Sequence, residues 1–159
     1  MSIKIYTDGS SKGNPGKGGY GTILSYKGIV KEISEGYRLT TNNRMELLAV
    51  IIGLEKLKEV NQNVLIISDS KYVIDSVVKG WVFNWEKKKF LKKKNPDLWK
   101  RFLLVYKKHK VNFKWIRGHS GHAENERCDQ LAVEASTKSK LKIDVFFENS
   151  QQSPPTLFN

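Results

Sequence analysis

The sequence predicts an α/β fold built on a five-stranded mixed sheet flanked by helices. Three observations predict it. The first forty residues carry three alternating segments separated by glycine-containing turns, the pattern of an antiparallel meander. Val64-Leu65-Ile66-Ile67 is a continuous apolar run, the mark of a strand covered on both faces. Segments of helical periodicity lie on either side of that run, so the chain crosses over between strands and pairs some of them in parallel.

Each element has its own signal. Ile3, Ile5 and Thr7 alternate with Lys4, Tyr6 and Asp8, giving a first strand that ends near Asp8. A second strand spans about Tyr20 to Tyr26, Lys27-Gly28 turns the chain, and Ile29, Ile33 and Tyr37 share a face of the third. Thr41 or Asn42 caps a helix that runs to about Val60; Met45, Leu48, Ala49 and Ile52 line one face, and Leu47, Val50, Ile51 and Leu54 widen the apolar zone. The buried fourth strand ends at Ser68-Asp69. The next helix starts near Ser70, turns Val73, Ile74, Val77 and Val78 inward, and stops at Gly80.

A short basic helix covers about Trp81 to Lys88, followed by the loop KFLKKKN. Asn95-Pro96-Asp97 has the form of an N-cap, a proline in the first turn and an acid beside it, with Trp99, Phe102, Leu103 and Tyr106 facing in. Val111, Phe113 and Trp115 alternate as a fifth strand. A last helix buries Cys128, Leu131, Ala132 and Ala135. Residues 1–142 read as one domain with a basic protrusion over about 81–95, and 143–159 as a disordered C-terminal tail.

A chain of 159 residues supports one sizeable core, and 39% hydrophobic with 28% charged residues is the composition of a soluble globular protein. There is no membrane-length apolar run and no secretory leader pattern, and the one cysteine, Cys128, excludes an internal disulfide framework. The expectation is a cytoplasmic monomer. The net charge of +12 is unevenly spread: residues 79–110 hold twelve Lys/Arg against two acids, leaving sixteen against fourteen elsewhere. Trp81, Trp85, Phe90 and Trp99 are interleaved with those lysines, and basic plus aromatic residues suit phosphates plus sugars or bases.

Gly16, Gly18 and Gly21 match a dinucleotide-binding pattern, but that fingerprint requires a helix after the glycines, and a hairpin follows here. A phosphate-binding P-loop fails as well, because Ser11 stands where its first glycine belongs and Gly18 where its hydroxyl belongs. The glycines read as a permissive turn or a place of close backbone approach.

Four carboxylates are more informative. Asp8 and Asp69 end strands that would neighbour each other in parallel, in the crevice where open α/β sheets bind ligands. Glu46 lies early in the most apolar helix, where an unpaired charge is costly. Asp129 sits beside Cys128 at the edge of a buried face. Each has an ordinary alternative: a helix cap, a turn residue, a first-turn acid, a solvated acid. Four acids converging on one end of a sheet in a basic protein require a counterion, and an all-oxygen site favours Mg²⁺ or Mn²⁺. Two such ions can drive in-line attack on a phosphodiester. Zinc is disfavoured, since His119, His122 and Cys128 lack a fourth ligand; His119 suits a mobile proton carrier at the rim of a metal site.

The segments YTDGSSKGNPG, TTNNRMELLAVIIGLE, IISDSKYVIDSVVKGW, NPDLWKRF and WIRGHSGHAENERCDQLA, in this order over about residues 2–140, resemble the type I ribonuclease H family in its bacterial ribonuclease HI form. The resemblance implies strand order 3-2-1-4-5 and a magnesium-dependent endonuclease. Such an enzyme cuts the RNA strand of RNA–DNA hybrids and leaves 3′-hydroxyl and 5′-phosphate ends. By motif match, Asp8, Glu46, Asp69 and Asp129 would hold two Mg²⁺ ions, with Mn²⁺ as substitute, and His119 would assist proton transfer or product release. Asn14, Asn42 and Asn43 would lie along the hybrid's minor groove, with Ser70, Lys71 and Tyr72 beside them, reading 2′-hydroxyls and shape. Thr41 would help hold a DNA phosphate. Trp81, Asn84 and Trp85, with Lys87, Lys88 and Lys89, look like the family's basic protrusion, where a flat aromatic packs against deoxyribose.

The sequence departs from that pattern at two positions. Lys71 stands where relatives often have Gln, which would make the contact electrostatic. Leu39 stands where some have Arg, leaving the phosphate pocket to Arg38 or a lysine. The tail segment QSPPTLF resembles short Gln…Leu-Phe segments that dock on replication clamps. The rival reading is a related carboxylate nuclease of the resolvase or integrase kind acting on DNA.

Overall fold

The computed structural model describes residues 2–152. β1 (Ile3–Gly13), β2 (Gly16–Tyr26) and β3 (Ile29–Thr40) form the antiparallel meander. β4 (Asn63–Ser68) pairs in parallel with β1, and β5 (Lys110–Trp115) in parallel with β4, so the order is β3-β2-β1-β4-β5. The strands at the N-terminus are longer than alternation alone predicts. β1 continues five residues past Asp8, and β2 begins at Gly16, because the glycine-rich stretch is itself a ladder pairing Ser10 with Gly19 and Gly13 with Gly16. The turn between them carries a cis Asn14–Pro15 bond.

α1 (Asn42–Glu55) packs on β1 and β2 from one side of the sheet, and α5 (Ala123–Ser136) covers β1, β2 and β3 from the other. α1 is apolar almost all round, and ten of its fourteen residues are buried, since α4 (Pro96–Tyr106) covers its outer side. Its N-cap is Thr41, whose hydroxyl accepts from the Arg44 amide. The helix ends at Glu55 and not near Val60: Lys56 closes it, Leu57 still packs on the core from the following turn, and Val60 is exposed. The apolar pattern therefore outlasts the helix.

Glycines of β1 and β2 have a packing role. A Cβ on Gly21 would collide with the Cys128 carbonyl of α5, and one on Gly9 with the backbone of Met45 and Glu46 in α1. Bare backbone at these positions lets both helices settle directly on the sheet. It is helices, on opposite faces, that make the close approach.

α2 (Lys71–Val78) starts from an N-cap at Ser70, and α3 (Trp81–Lys87) follows the left-handed Gly80. Pro96 opens α4, but Asn95 is not a side-chain cap: its backbone is left-handed and its amide is used elsewhere. Trp99 and Phe90 belong to the core and not to an exposed aromatic stripe, because α4 turns Trp99 inward with Phe102, and Phe90 closes over the same cluster.

The chain does not become irregular after Lys142. Lys142 bridges to the edge strand β3, and α6 (Val145–Ser150) follows. Asp144 is buried and accepts from Thr40 Oγ1 at 2.8 Å and from Arg44 Nε at 2.7 Å, while Arg38 forks onto Glu148. These polar anchors come from residues about a hundred positions away, so no local pattern announces the helix. The Gln…Leu-Phe segment lies almost wholly outside the described residues. Among the described residues, no helix is long and apolar enough to cross a membrane.

Candidate active site

The parallel register of β1 on β4 matches Ile3 to Val64 and Tyr6 to Ile67. Continued by two residues, it sets Asp8 level with Asp69 just beyond the ladder. Glu46 reaches the same point from the first turn of α1. The carboxylates of Asp8, Glu46 and Asp69 each present an oxygen within 4.8 Å of the others. The Gly9 amide binds both inner acids, donating to Asp8 Oδ1 at 2.9 Å and to Glu46 Oε1. The lack of a Gly9 side chain is what brings α1 close enough for that bond.

Asp8 is 6% exposed and Glu46 5%. Among the described residues, none of the ion pairs involves either of them, Asp69 or Asp129. The one buried arginine nearby, Arg44, is turned to Asp97 and Asp144. Burial without a cation raises proton affinity. Asp8 is pushed up to about 7, chiefly by burial and further by the charges of Asp69 and Asp129, while hydrogen bonds from Glu46 and Gly9 pull the other way. Glu46 is raised well above the usual carboxylate range by burial and by Asp8. Asp69 is raised by burial, with the His119 charge opposing it. Such a group favours a hard cation as its counter-charge. Three clustered carboxylate donors with no soft ligand fit Mg²⁺ or Mn²⁺.

A cleft of about 440 Å³ opens onto this cluster, and Asp129 and His119 line it too. Asp129, on α5, is not one of the tight group of three but lines the same cleft. His119 lies in the loop before α5 with a left-handed backbone (φ 54°). Ser70, Lys71, Tyr72, Asn42 and Asn43 line the same cleft. Lys71 Nζ rests 4.9 Å from the centre of the Trp115 ring, whose indole N–H donates to the Asp69 carbonyl. Strand alternation accounts for Trp115 fully, so its contact with Lys71 has no signal in the sequence.

Two further clefts adjoin. Trp81 and Trp85 line one of about 310 Å³ together with Tyr72, Lys93 and Lys94. Tyr72 is held rigidly there, stacked on Trp99 and accepting from the Trp99 indole at 2.8 Å and the Asn95 amide at 3.0 Å. Asn14 and Thr41 line the other, again with Lys93 and Lys94, and Asn14 Oδ1 accepts from the Asn42 amide. Asn84, Lys87, Lys88 and Lys89 are exposed on or after α3 and line neither cleft. Arg38 is committed to Glu148, so the cationic side of the Thr41 cleft falls to Lys93 and Lys94. The KKK run signals charge but not which of its members line a cleft.

Comparison with known proteins agrees with this geometry. The family model described as RNase H matches residues 1–137. The chain is 53% identical over 148 residues to a ribonuclease H of Desulforamulus reducens, covering 90% of this chain and 92% of the relative. It is 48% identical over 151 residues to the ribonuclease HI of Shewanella oneidensis, covering 92% and 94%. Among solved structures it resembles LC9-RNase H1, a type 1 RNase H with the type 2 active-site motif, with TM-score 0.76 and 30% identity over 94% of this chain and 81% of that one. It also resembles LC11-RNase H1 in complex with RNA/DNA hybrid, with TM-score 0.65 and 29% identity over 84% of this chain and 96% of the other. The acidic cluster at the end of the parallel ladder, the sheet order and these matches agree: the chain belongs to the RNase H family.

Proposed function

We propose that this chain hydrolyses the RNA strand of RNA–DNA hybrids by a two-metal-ion mechanism, leaving 3′-hydroxyl and 5′-phosphate ends. The observation that carries the reading is the convergence of buried Asp8 and Glu46 with half-buried Asp69 in a cleft that Asp129 also lines, beside a basic and aromatic surface. Asp8, Glu46, Asp69 and Asp129 would hold the ions, Mg²⁺ by preference. When bound, such ions supply the charge that activates a water and stabilises the departing oxygen.

The chain's own residues set the rest. Asp8 and Glu46, whose proton affinity is raised, would hold the ions as ionised carboxylates. His119, on its left-handed loop, takes a proton from the water side and passes it to solvent. The water oxygen becomes bonded to phosphorus, the bond from phosphorus to the 3′ oxygen breaks, and that oxygen takes a proton from solvent and leaves as a hydroxyl. Asn14, Asn42, Asn43, Ser70 and Tyr72 contact the hybrid's minor groove, and Lys71 adds a charge held in place by Trp115. Thr41 offers its hydroxyl hydrogen to a phosphate while its oxygen caps α1. Trp81, Asn84 and Trp85 meet the DNA strand, with Lys87, Lys88 and Lys89 adding longer-range attraction.

The test is cleavage of an end-labelled hybrid with Mg²⁺ and with chelator, beside single-stranded RNA, duplex RNA and duplex DNA. Mg²⁺-dependent cutting confined to the RNA of the hybrid is the expected result. No cutting of the hybrid overturns the reading, and cutting of duplex DNA favours a resolvase-like nuclease.

A further inference from the structure

The family match ends at residue 137, yet the ordered chain continues and returns to the substrate side. α6 and the residue after it form one wall of the Thr41 cleft, a cavity of about 420 Å³. Phe146, Phe147, Ser150 and Gln151 stand on that wall. Asn14, Thr41, Lys93 and Lys94 stand on the others. Asn43 borders both this cleft and the one above the carboxylates, so the two adjoin.

Resting on the hybrid-cleaving reading above, we infer that α6 is a substrate-contacting wall which seats one deoxynucleotide of the uncut DNA strand. The chemistry of the two sides is complementary to a nucleotide. Lys93 and Lys94 form no ion pair among the described residues and are available to a phosphate. Arg44 also borders the cleft, but Asp97 and Asp144 neutralise it. Phe146 is 45% exposed and offers a flat apolar face, which suits a sugar without a 2′-hydroxyl. Ser150 and Gln151 supply neutral polar contacts at the rim.

The wall is also fixed in place. Asp144 ties the start of α6 to Thr40 and Arg44, Glu148 ties its middle to Arg38, and the rings of Phe146 and Phe147 lie within 5.8 Å of the Arg44 guanidinium. Thr40 directly precedes Thr41 and the Arg44 amide donates to the Thr41 hydroxyl, so the same anchor positions both the cap hydroxyl and α6.

The experiment places charge on the wall of the full-length protein and measures binding of a fluorescent RNA–DNA hybrid in chelator, together with kcat, KM and Tm with Mg²⁺. Gln151→Glu should weaken binding about threefold to tenfold at low salt, with the difference shrinking as salt rises. Gln151→Lys should tighten binding and steepen its salt dependence. Both should change KM in step with binding, and neither should move Tm. Asn149→Glu, on α6 but off the cleft, should match the wild type. If all three variants bind alike while the wild type cuts hybrid, α6 is not a wall of the site and only this inference falls. If the wild type neither binds nor cuts hybrid, the functional reading falls with it.

Discussion

Asp8 and Asp69 stand level with each other, one residue beyond the last strand position on β4, because the β1–β4 register carries a constant offset from Ile3↔Val64 to Tyr6↔Ile67. Two carboxylates fixed by backbone pairing need no side-chain adjustment to converge. Asp69→Asn keeps size and shape but removes the charge. Turnover should fall at least ~100-fold while circular dichroism and Tm stay near wild type. An active variant would remove Asp69 from the ion-binding set.

The proton affinity of the cluster makes metal-free stability depend on pH. Asp8 sits near 7 when folded and near an ordinary aspartate when unfolded. Between those values the folded protein binds more protons, so its stability decreases as pH rises. The contribution is fully present below about pH 4 and gone above about pH 7. In chelator, Asp8→Asn should flatten this slope and stabilise the protein at pH 8 by ~1–3 kcal/mol, read by urea denaturation. Adding Mg²⁺ should stabilise the wild type at pH 8 and leave Asp8→Asn nearly unchanged.

Gly21→Ala tests the close packing of α5 on β2. The added methyl meets the Cys128 carbonyl, and Asp129 is the next residue. Stability should fall by ~1–3 kcal/mol, and activity should fall further than stability explains, as Asp129 moves. Unchanged Tm would mean that α5 yields without cost.

The anchor of α6 is a buried ion pair. Asp144→Ala leaves Arg44 short of a partner in a site where it is 2% exposed. Removing one member of such a pair costs ~3–5 kcal/mol. Arg44 keeps Asp97, so a loss of ~2–3 kcal/mol is expected by denaturant titration, with faster amide exchange over 145–150.

Position within the basic segment decides its effect. Lys93→Gln with Lys94→Gln should weaken hybrid binding more, per charge removed, than neutralising Lys87, Lys88 and Lys89, and should reduce the salt slope by about one to two phosphate contacts. Equal effects per charge would reduce the whole segment to a diffuse field.

The sequence by itself determined the elements whose signals are local. Alternation in Ile3–Thr7 and the apolar run Val64–Ile67 place two strands, and Asp8 and Asp69 follow each directly. The apolar breadth of α1 exposes Glu46 as a misplaced charge, and five ordered motifs point to the family. Tertiary structure decided whatever depends on contacts between distant residues. Register sets Asp8 against Asp69, and the Gly9 amide is aimed at Glu46 only after α1 has docked. Trp99 and Phe90 turn inward although they alternate with lysines as Trp81 and Trp85 do. Arg44 meets Asp144 across one hundred positions and orders a helix where composition reads as tail. Periodicity reports the face a residue shows to its own element; which partner covers that face is a property of the packed chain.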